Sequence, residues 1–255
     1  MNDNKPLTGK VVLVTGASRG IGYYAALEAG RRGAHVIALA RTVGGLEDLD
    51  DAIRASGGET TLVPLDTRDG EGIDRLGAAI FERWGHLDGL IGNAGVLGPV
   101  SPVGHVDPKD FDKAFAINVT ANYRLIRSMD VLLRQSPAGR AVFLTSGAAE
   151  AMQPYWSVYA ASKAALEALV RTYAAEVANT SLRVNLFSPG ALRTAMRAAG
   201  FPGEDPETLQ SPQVVAADLM RMIAPDYTEN GALFHFPSRQ TRPLVQKPFT
   251  ERRTH

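Results

Sequence analysis

KVVLVTGASRGIG, residues 10–22, runs a short apolar, β-branched segment straight into three glycines spaced G-x-x-x-G-x-G. The residues that follow, GYYAALEAGRRG from Gly22 onward, have the pattern and length of an amphipathic helix. A buried strand, a glycine turn and a helix in that order form the opening unit of an α/β sheet, and such a turn is where the sheet binds a dinucleotide. Gly16, Gly20 and Gly22 let the backbone approach a pyrophosphate, while the helix N-terminus offers unpaired N–H groups and the positive end of its dipole. A plain glycine-rich turn is the alternative, and the spacing departs from the general G-x-G-x-x-G fingerprint.

The rest of the chain repeats the alternation. KVVLVT (10–15), HVIALA (35–40), TTLVPL (60–65), LDGLIG (87–92), RAVFLT (140–145) and LRVNLF (182–187) read as buried strands, with amphipathic stretches such as EGIDRLGAAIFERWG between them. Continuous apolar runs separated by helices predict a parallel sheet covered on both faces. No repeat, low-complexity tract or linker interrupts the pattern. GFPGEDPETLQSPQ (200–213), rich in Pro, Gly and acid, reads as a mobile surface loop.

Composition removes several classes of function. At 255 residues and 45% hydrophobic, the chain is long enough to bury a sizeable core as one domain. Its 27 Lys and Arg balance 27 Asp and Glu, so there is no bulk positive field for nucleic acid or an anionic membrane. Without cysteine there is no disulfide, zinc-thiolate site or cysteine nucleophile. The five histidines lack metal-ligand spacing, so no metal is expected. MNDNKPLTGK has no apolar signal region and no run approaches a membrane span, so the expectation is a soluble, cytoplasmic protein.

Two helices carry polar groups on faces that want burial. YAASKAALEALV, continued to about Val177, puts Tyr159, Lys163, Leu166, Val170, Tyr173 and Val177 on one face. Lysine is almost never fully buried without a partner, so Lys163 either emerges into a cleft or has a task. A second stripe, Ala161, Ala165, Ala168, Thr172 and Ala175, is small throughout and suits contact with another helix, of a second subunit or of its own. VDPKDFDKAF starts a further helix with Asp107 as N-cap and Pro108 at the first helical position. Its inward stripe reads Phe111, Phe115, Asn118, Asn122, Leu125 and Met129, where an unpaired Asn118 amide would be costly.

TGASRGIG at 15–22, NAG at 93–95, Asn118, Ser146, the YAASK of Tyr159 and Lys163, and PG at 189–190 occur in one order. Together they resemble the classical short-chain dehydrogenases/reductases, from Lys10 to about Phe236. The resemblance implies a Rossmann-type doubly wound parallel β-sheet of about seven strands in a single domain, 1–255, with a substrate loop at about 191–211 and a C-terminal tail from about 237. It implies an NAD(P)(H)-dependent oxidoreductase interconverting a carbonyl and a secondary alcohol, with Tyr159 as general acid or base. Ser146 would hold the substrate oxygen, Lys163 would bond the nicotinamide ribose, and Asn118 would complete a tetrad through a bound water. Strand alternation turns Thr145 away from Ser146. A phenol ordinarily titrates at about 10, and the Lys163 ammonium with the cofactor's ring can lower that value. The alternative is a catalytically silent nucleotide-binding regulatory or scaffold protein on the same fold, though such relatives typically lose tetrad residues.

The resemblance also assigns the cofactor contacts. Relatives that prefer NAD carry an acid at the end of the second strand, where this chain has Ala40 followed by Arg41. Arg41 can bond a 2′-phosphate, each charge-assisted bond contributing about 1.5–3 kcal/mol, and Arg19 can approach the same group. NADP(H) is therefore favoured; arginine alone does not exclude NAD(H), because both side chains could be solvated surface charges. Ser18 and Ile21 belong to the glycine loop, Asp66 matches an adenine-contacting acid, and Asn93, Ala94 and Gly95 match the segment beside the adenosine. Pro189, Gly190 and Thr194 stand where relatives contact the nicotinamide end. Met152, Tyr155, Trp156, Met196 and Phe201 suggest a partly apolar alcohol or ketone as substrate, although Tyr155 and Trp156 would serve equally in surface packing. Glu150 and Arg197 could read a polar group. Relatives pair the Tyr159 and Asn118 helices across a dyad, implying a homodimer or homotetramer.

Overall fold

The apolar runs bury because both faces of every central strand are covered. In the computed structural model, which describes residues 5–243, they form β1 (Val11–Thr15), β2 (His35–Ala40), β3 (Glu59–Pro64), β4 (Gly89–Gly92), β5 (Arg140–Leu144) and β6 (Arg183–Ser188). β7 (Ala232–His235) and β8 (Gln240–Pro243) complete one eight-stranded sheet in the order β3-β2-β1-β4-β5-β6-β7-β8. Val12 and Val14 of β1 enter one core layer, while Val11 and Leu13 enter the other. The first layer lies under α1 (Gly20–Arg31), α2 (Val43–Ala55) and α9 (Ala216–Met222). The second lies under α3 (Gly70–Trp84), α5 (Ala121–Gln135) and α7 (Ser157–Glu176). Between these fall the shorter α4 (Pro108–Phe115), α6 (Ala148–Ala151) and α8 (Ala195–Gly200).

β1 pairs in parallel with both β2 and β4, so the chain winds outward in one direction from β1 and then returns to wind in the other. That reversal opens a crevice at the C-terminal ends of β1 and β4, the place where open α/β sheets bind ligands. Seven strands run parallel, as the resemblance implies. The eighth is a correction: β8 runs antiparallel to β7 within the segment read as a tail. Arg239 makes the turn with φ 57, and Asp218 holds its guanidinium through bonds of 2.6 and 2.8 Å. Residues 244–255 of that tail, with His255, lie outside the described residues. Among the described residues no helix is long and apolar enough to cross a membrane, and no cluster of His, Cys, Asp or Glu could hold a metal.

A second correction concerns the Asn118 helix. Asp107 caps α4 as read, its carboxylate accepting from the Lys109 N–H at 2.8 Å. The helix then passes through a π-turn, Ala116–Thr120, before α5. The wider turn shifts the buried face, so Ala114 and Ile117 point inward while Phe111 is 41% exposed and stacks on Phe115 at 4.5 Å. Asn118 within the turn, and Asn122, Leu125 and Met129 beyond it, are buried as expected. On α7 the whole stripe from Tyr159 to Val177 is buried, Lys163 included at 4% exposure.

Candidate functional site

A cleft of about 710 Å³ lies over the C-terminal ends of β1, β2 and β4. Gly16, Ser18, Arg19, Gly20 and Ile21 line it. Gly16 and Gly20 have φ of +66 and +60, which favours glycine. A Cβ on Gly22 would run into the Gly16 carbonyl and the Asn93 amide, so only glycine lets α1 start this close to β1. Arg19 precedes α1 without a side-chain cap, and the first turn carries no acid, leaving its N–H groups available to an anion.

Asn93 spends its side chain on the loop itself. Its Nδ2 donates to the Thr15 carbonyl at 2.9 Å and the Gly16 carbonyl at 3.3 Å, while Thr15 Oγ1 accepts the N–H groups of Asn93 and Ala94 at 3.0 Å each. Thr15, fully buried at the end of β1, was not singled out in the sequence; a polar residue closing an apolar strand was the available signal. Arg41 and Asp66 meet across the cleft end at 4.0 Å. Arg68, also unread, forms a 2.7 Å ion pair with Asp66, and its hydrogen bonding holds that carboxyl below the usual carboxylate range. Thr42, which lines the cleft with Arg41, leads into α2 without a side-chain capping bond. Pro189 and Gly190 turn the chain after β6 toward Thr194. Gly190 needs its φ of +73 and packs where a Cβ would strike Pro237. Thr194 lines the cleft opposite Gly20 and caps α8, its Oγ1 accepting from the Arg197 N–H at 3.2 Å.

Beside this cleft the structure brings Ser146, Tyr159, Lys163 and Asn118 together. Lys163 Nζ donates to the Leu144 carbonyl at 2.8 Å and lies 5.7 Å from the Tyr159 ring centre. Burial lowers its pKa to about 8, against the pull of Glu167 one turn along α7. Burial also raises the Tyr159 phenol, opposed by its hydrogen bond with Ser146. The lowering expected from the ammonium together with the cofactor's ring is a separate effect; within the chain itself desolvation outweighs the Ser146 bond. Thr145 turns away from Ser146 as alternation required and donates to buried Glu167 at 2.7 Å. Glu167 was missed, although a carboxylate four residues after Lys163 on the same helix was legible as its counter-charge.

Asn118 resolves the cost of its burial completely. Its Oδ1 accepts from the Val96 N–H at 2.8 Å, and its Nδ2 donates to the Val96 carbonyl and to Ser162 Oγ, both at 2.9 Å. Ser162 passes the chain on to the Tyr159 carbonyl at 2.9 Å, while Asn122 Nδ2 donates to the Asn118 carbonyl at 2.9 Å inside the π-turn. A Cβ on Gly95 would stand 3.2 Å from Asn118 Oδ1 and 3.5 Å from Lys163 Nζ, so this glycine keeps the space between them clear.

On the outer side Trp156 and Phe201 are half-buried with ring centres 5.2 Å apart, whereas Met152 and Tyr155 point to solvent from strained backbone, φ 45 and 72. The two charged groups read as candidates for a polar substrate group are engaged elsewhere. Arg197 pairs with Glu204 at 2.6 Å, and Glu150 pairs with Arg242. The loop at 200–213 carries two short 3₁₀ turns, Pro206–Thr208 and the start of Pro212–Val215.

The family model described as short chain dehydrogenase matches residues 10–205 of this chain. The chain belongs to the short-chain dehydrogenase family. Within that family it is similar to the uncharacterized oxidoreductase YciK of Escherichia coli K12, 38% identical over 217 residues that make up 84% of each chain. Versicolorin reductase stcU of Emericella nidulans is 34% identical over 76% of this chain and 74% of its own. Among solved structures, a short chain dehydrogenase of Shigella flexneri complexed with NADP superposes with a TM-score of 0.87 at 34% identity, covering 91% of this chain and 99% of the other. Another, from Escherichia coli CFT073 with NADPH, gives 0.85 at 34% identity, covering 91% and 98%. The chain is an oxidoreductase of this short-chain dehydrogenase family.

Proposed function

We propose that the protein is an NADP(H)-preferring reductase of partly apolar ketones, interconverting them with secondary alcohols. The observation that carries this reading is the meeting of Ser146, Tyr159 and buried Lys163 at the side of a cleft floored by the glycine loop. When bound, the nicotinamide supplies or accepts hydride. Gly16, Ser18, Arg19, Gly20, Ile21 and Gly22 receive the pyrophosphate; Asp66, Asn93, Ala94 and Gly95 border the adenosine; Pro189, Gly190 and Thr194 serve the nicotinamide end. Ser146 orients the substrate oxygen and Tyr159 donates its proton to it. A phenol raised by burial holds that proton at neutral pH, which suits carbonyl reduction. Lys163 steadies the charge left on the phenol and bonds the ribose, and Asn118 completes the tetrad through a bound water leading from the lysine. The chain's own chemistry supports the fit to such a cofactor: the α1 N-terminus has neither a side-chain cap nor a first-turn acid, and Gly95 puts no Cβ between Asn118 and Lys163. The decisive experiment is a panel of ketones and alcohols followed at the NAD(P)H absorbance with both cofactors. If no member changes that absorbance, the silent nucleotide-binding alternative stands instead.

NADP(H) is preferred because Arg41, joined by Arg19 and the free Thr42 hydroxyl, lies where a 2′-phosphate would sit, and the relatives solved with NADP and NADPH support it. Arg41→Ala should weaken NADPH binding about tenfold while leaving NADH binding unchanged, as read by nucleotide fluorescence titration. Equal losses for both nucleotides would exclude this role. Ala161, Ala168, Thr172 and Ala175 remain exposed along α7, which supports pairing of subunits through this small face as a homodimer or homotetramer. Sedimentation analysis that finds only monomer at micromolar concentration would rule the pairing out.

A further inference from the structure

Between residues 191 and 211 the substrate-side segment holds five charged side chains, Arg193, Arg197, Glu204, Asp205 and Glu207. They are arranged so that no cation is left over. Arg193 Nη1 lies 2.6 Å from Glu207 Oε1, and Arg197 meets the Glu204 carboxylate twice, at 2.6 Å from Nε and 2.7 Å from Nη2. Asp205 accepts the Glu207 N–H at 3.0 Å and so caps its turn. An anionic substrate arriving here would have to break a pair of charge-assisted bonds before meeting a partner.

The same ion pair shapes an aromatic wall. The Arg197 guanidinium carbon sits 3.6 Å from the centre of the Phe201 ring, which in turn lies 5.2 Å from Trp156; Trp156 stands edge-on to Tyr159 at 6.0 Å. Gly200 permits the approach, since a Cβ there would come within 3.0 Å of Leu97 and 3.4 Å of Trp156. Both Trp156 and Phe201 are only half-buried, so each ring keeps surface for a ligand.

Resting on the reductase reading above, the geometry points to an uncharged aryl ketone as substrate, stacked on Phe201 and Trp156, with Arg197 and Glu204 as positioning residues that hold Phe201 and exclude anions. Three probes test this with NADPH: acetophenone, its para-carboxylate, and an aliphatic methyl ketone of equal heavy-atom count. Wild-type kcat/KM should be about tenfold higher for acetophenone than for either of the others. Phe201→Ala should erase the aryl preference, bringing kcat/KM for acetophenone down about tenfold to that of the aliphatic ketone, with the larger part of the change in KM. Glu204→Gln should free Arg197 and raise kcat/KM for the carboxylate by about tenfold, a gain that a merely structural role would not produce. A second readout does not need turnover: with Trp84→Phe as background, acetophenone should quench Trp156 emission saturably in the NADP-loaded protein. A wild type that prefers the carboxylate or the aliphatic ketone, or an unchanged preference in Phe201→Ala, overturns the proposal. Saturable quenching without NADPH consumption would instead overturn the reductase reading and leave the aryl site standing.

Discussion

Tyr159→Phe should lower carbonyl-dependent NADPH oxidation by about 10²–10⁴-fold while leaving NADPH affinity near wild type. The substitution removes one oxygen and keeps the ring that packs edge-on to Trp156. Tyr159 is 9% exposed, and its phenol is raised by desolvation with Ser146 as its hydrogen-bonding partner, so at neutral pH it is a proton donor held beside the substrate oxygen. Without it, hydride addition would leave an alkoxide with only Ser146 to bond. Stability should hardly change, because Ser146 is half-buried and already accepts the Ala148 N–H at 3.2 Å. Fluorescence titration of NADPH and a thermal melt establish that the variant is folded and loaded. A folded, NADPH-binding Tyr159→Phe protein with wild-type turnover would refute the assignment of Tyr159 as the proton donor.

The parts of this site that were legible in the sequence are those set by short-range spacing. Glycine spacing after β1 announced the cleft because the clash it avoids, between Gly22, the Gly16 carbonyl and Asn93, involves backbone close in sequence and one strand-end residue. The Tyr159–Val177 face was legible because α7 is regular from end to end. What escaped depends on partners that no period announces. The π-turn that carries Asn118 moved Phe111 to the surface, and its buried amides are satisfied by Val96, Ser162 and Asn122 only after distant segments meet. β8 is a polar edge strand, QTRP, with no apolar alternation to mark it. Arg197 looked free until a turn of the chain brought Glu204 to it. The burial that raises the Tyr159 phenol is likewise something that sequence spacing does not weigh.

Lys163→Met should abolish most activity and yet change the pH dependence of stability in the wild type's disfavour at neutral pH. Burial brings the Lys163 pKa down from 10.5 to about 8, which places roughly 3 kcal/mol of penalty on the folded, charged form. The sign follows from proton counting. Below about 8 both folded and unfolded chains hold the proton, and the full penalty is present. Between about 8 and 10.5 the unfolded chain binds more protons than the folded one, so stability rises with pH. Above 10.5 both are neutral and the penalty is gone. Met fills the space without charge but surrenders the bond to the Leu144 carbonyl, a loss of about 1 kcal/mol that does not vary with pH. Urea unfolding of the cofactor-free proteins at pH 7 and 10.5 should therefore show the wild type gaining about 3 kcal/mol on the variant, other groups cancelling between them. A gap that stays constant across that range would show that the ammonium is not held at a cost. The same ionisation should appear in catalysis: reductive kcat/KM should fall above pH about 8, as the charge that steadies the Tyr159 phenolate is lost. The penalty at Lys163 is thus the reason to read it as functional, because a helix stripe that is otherwise apolar or aromatic gains nothing in folding from an ammonium at its head.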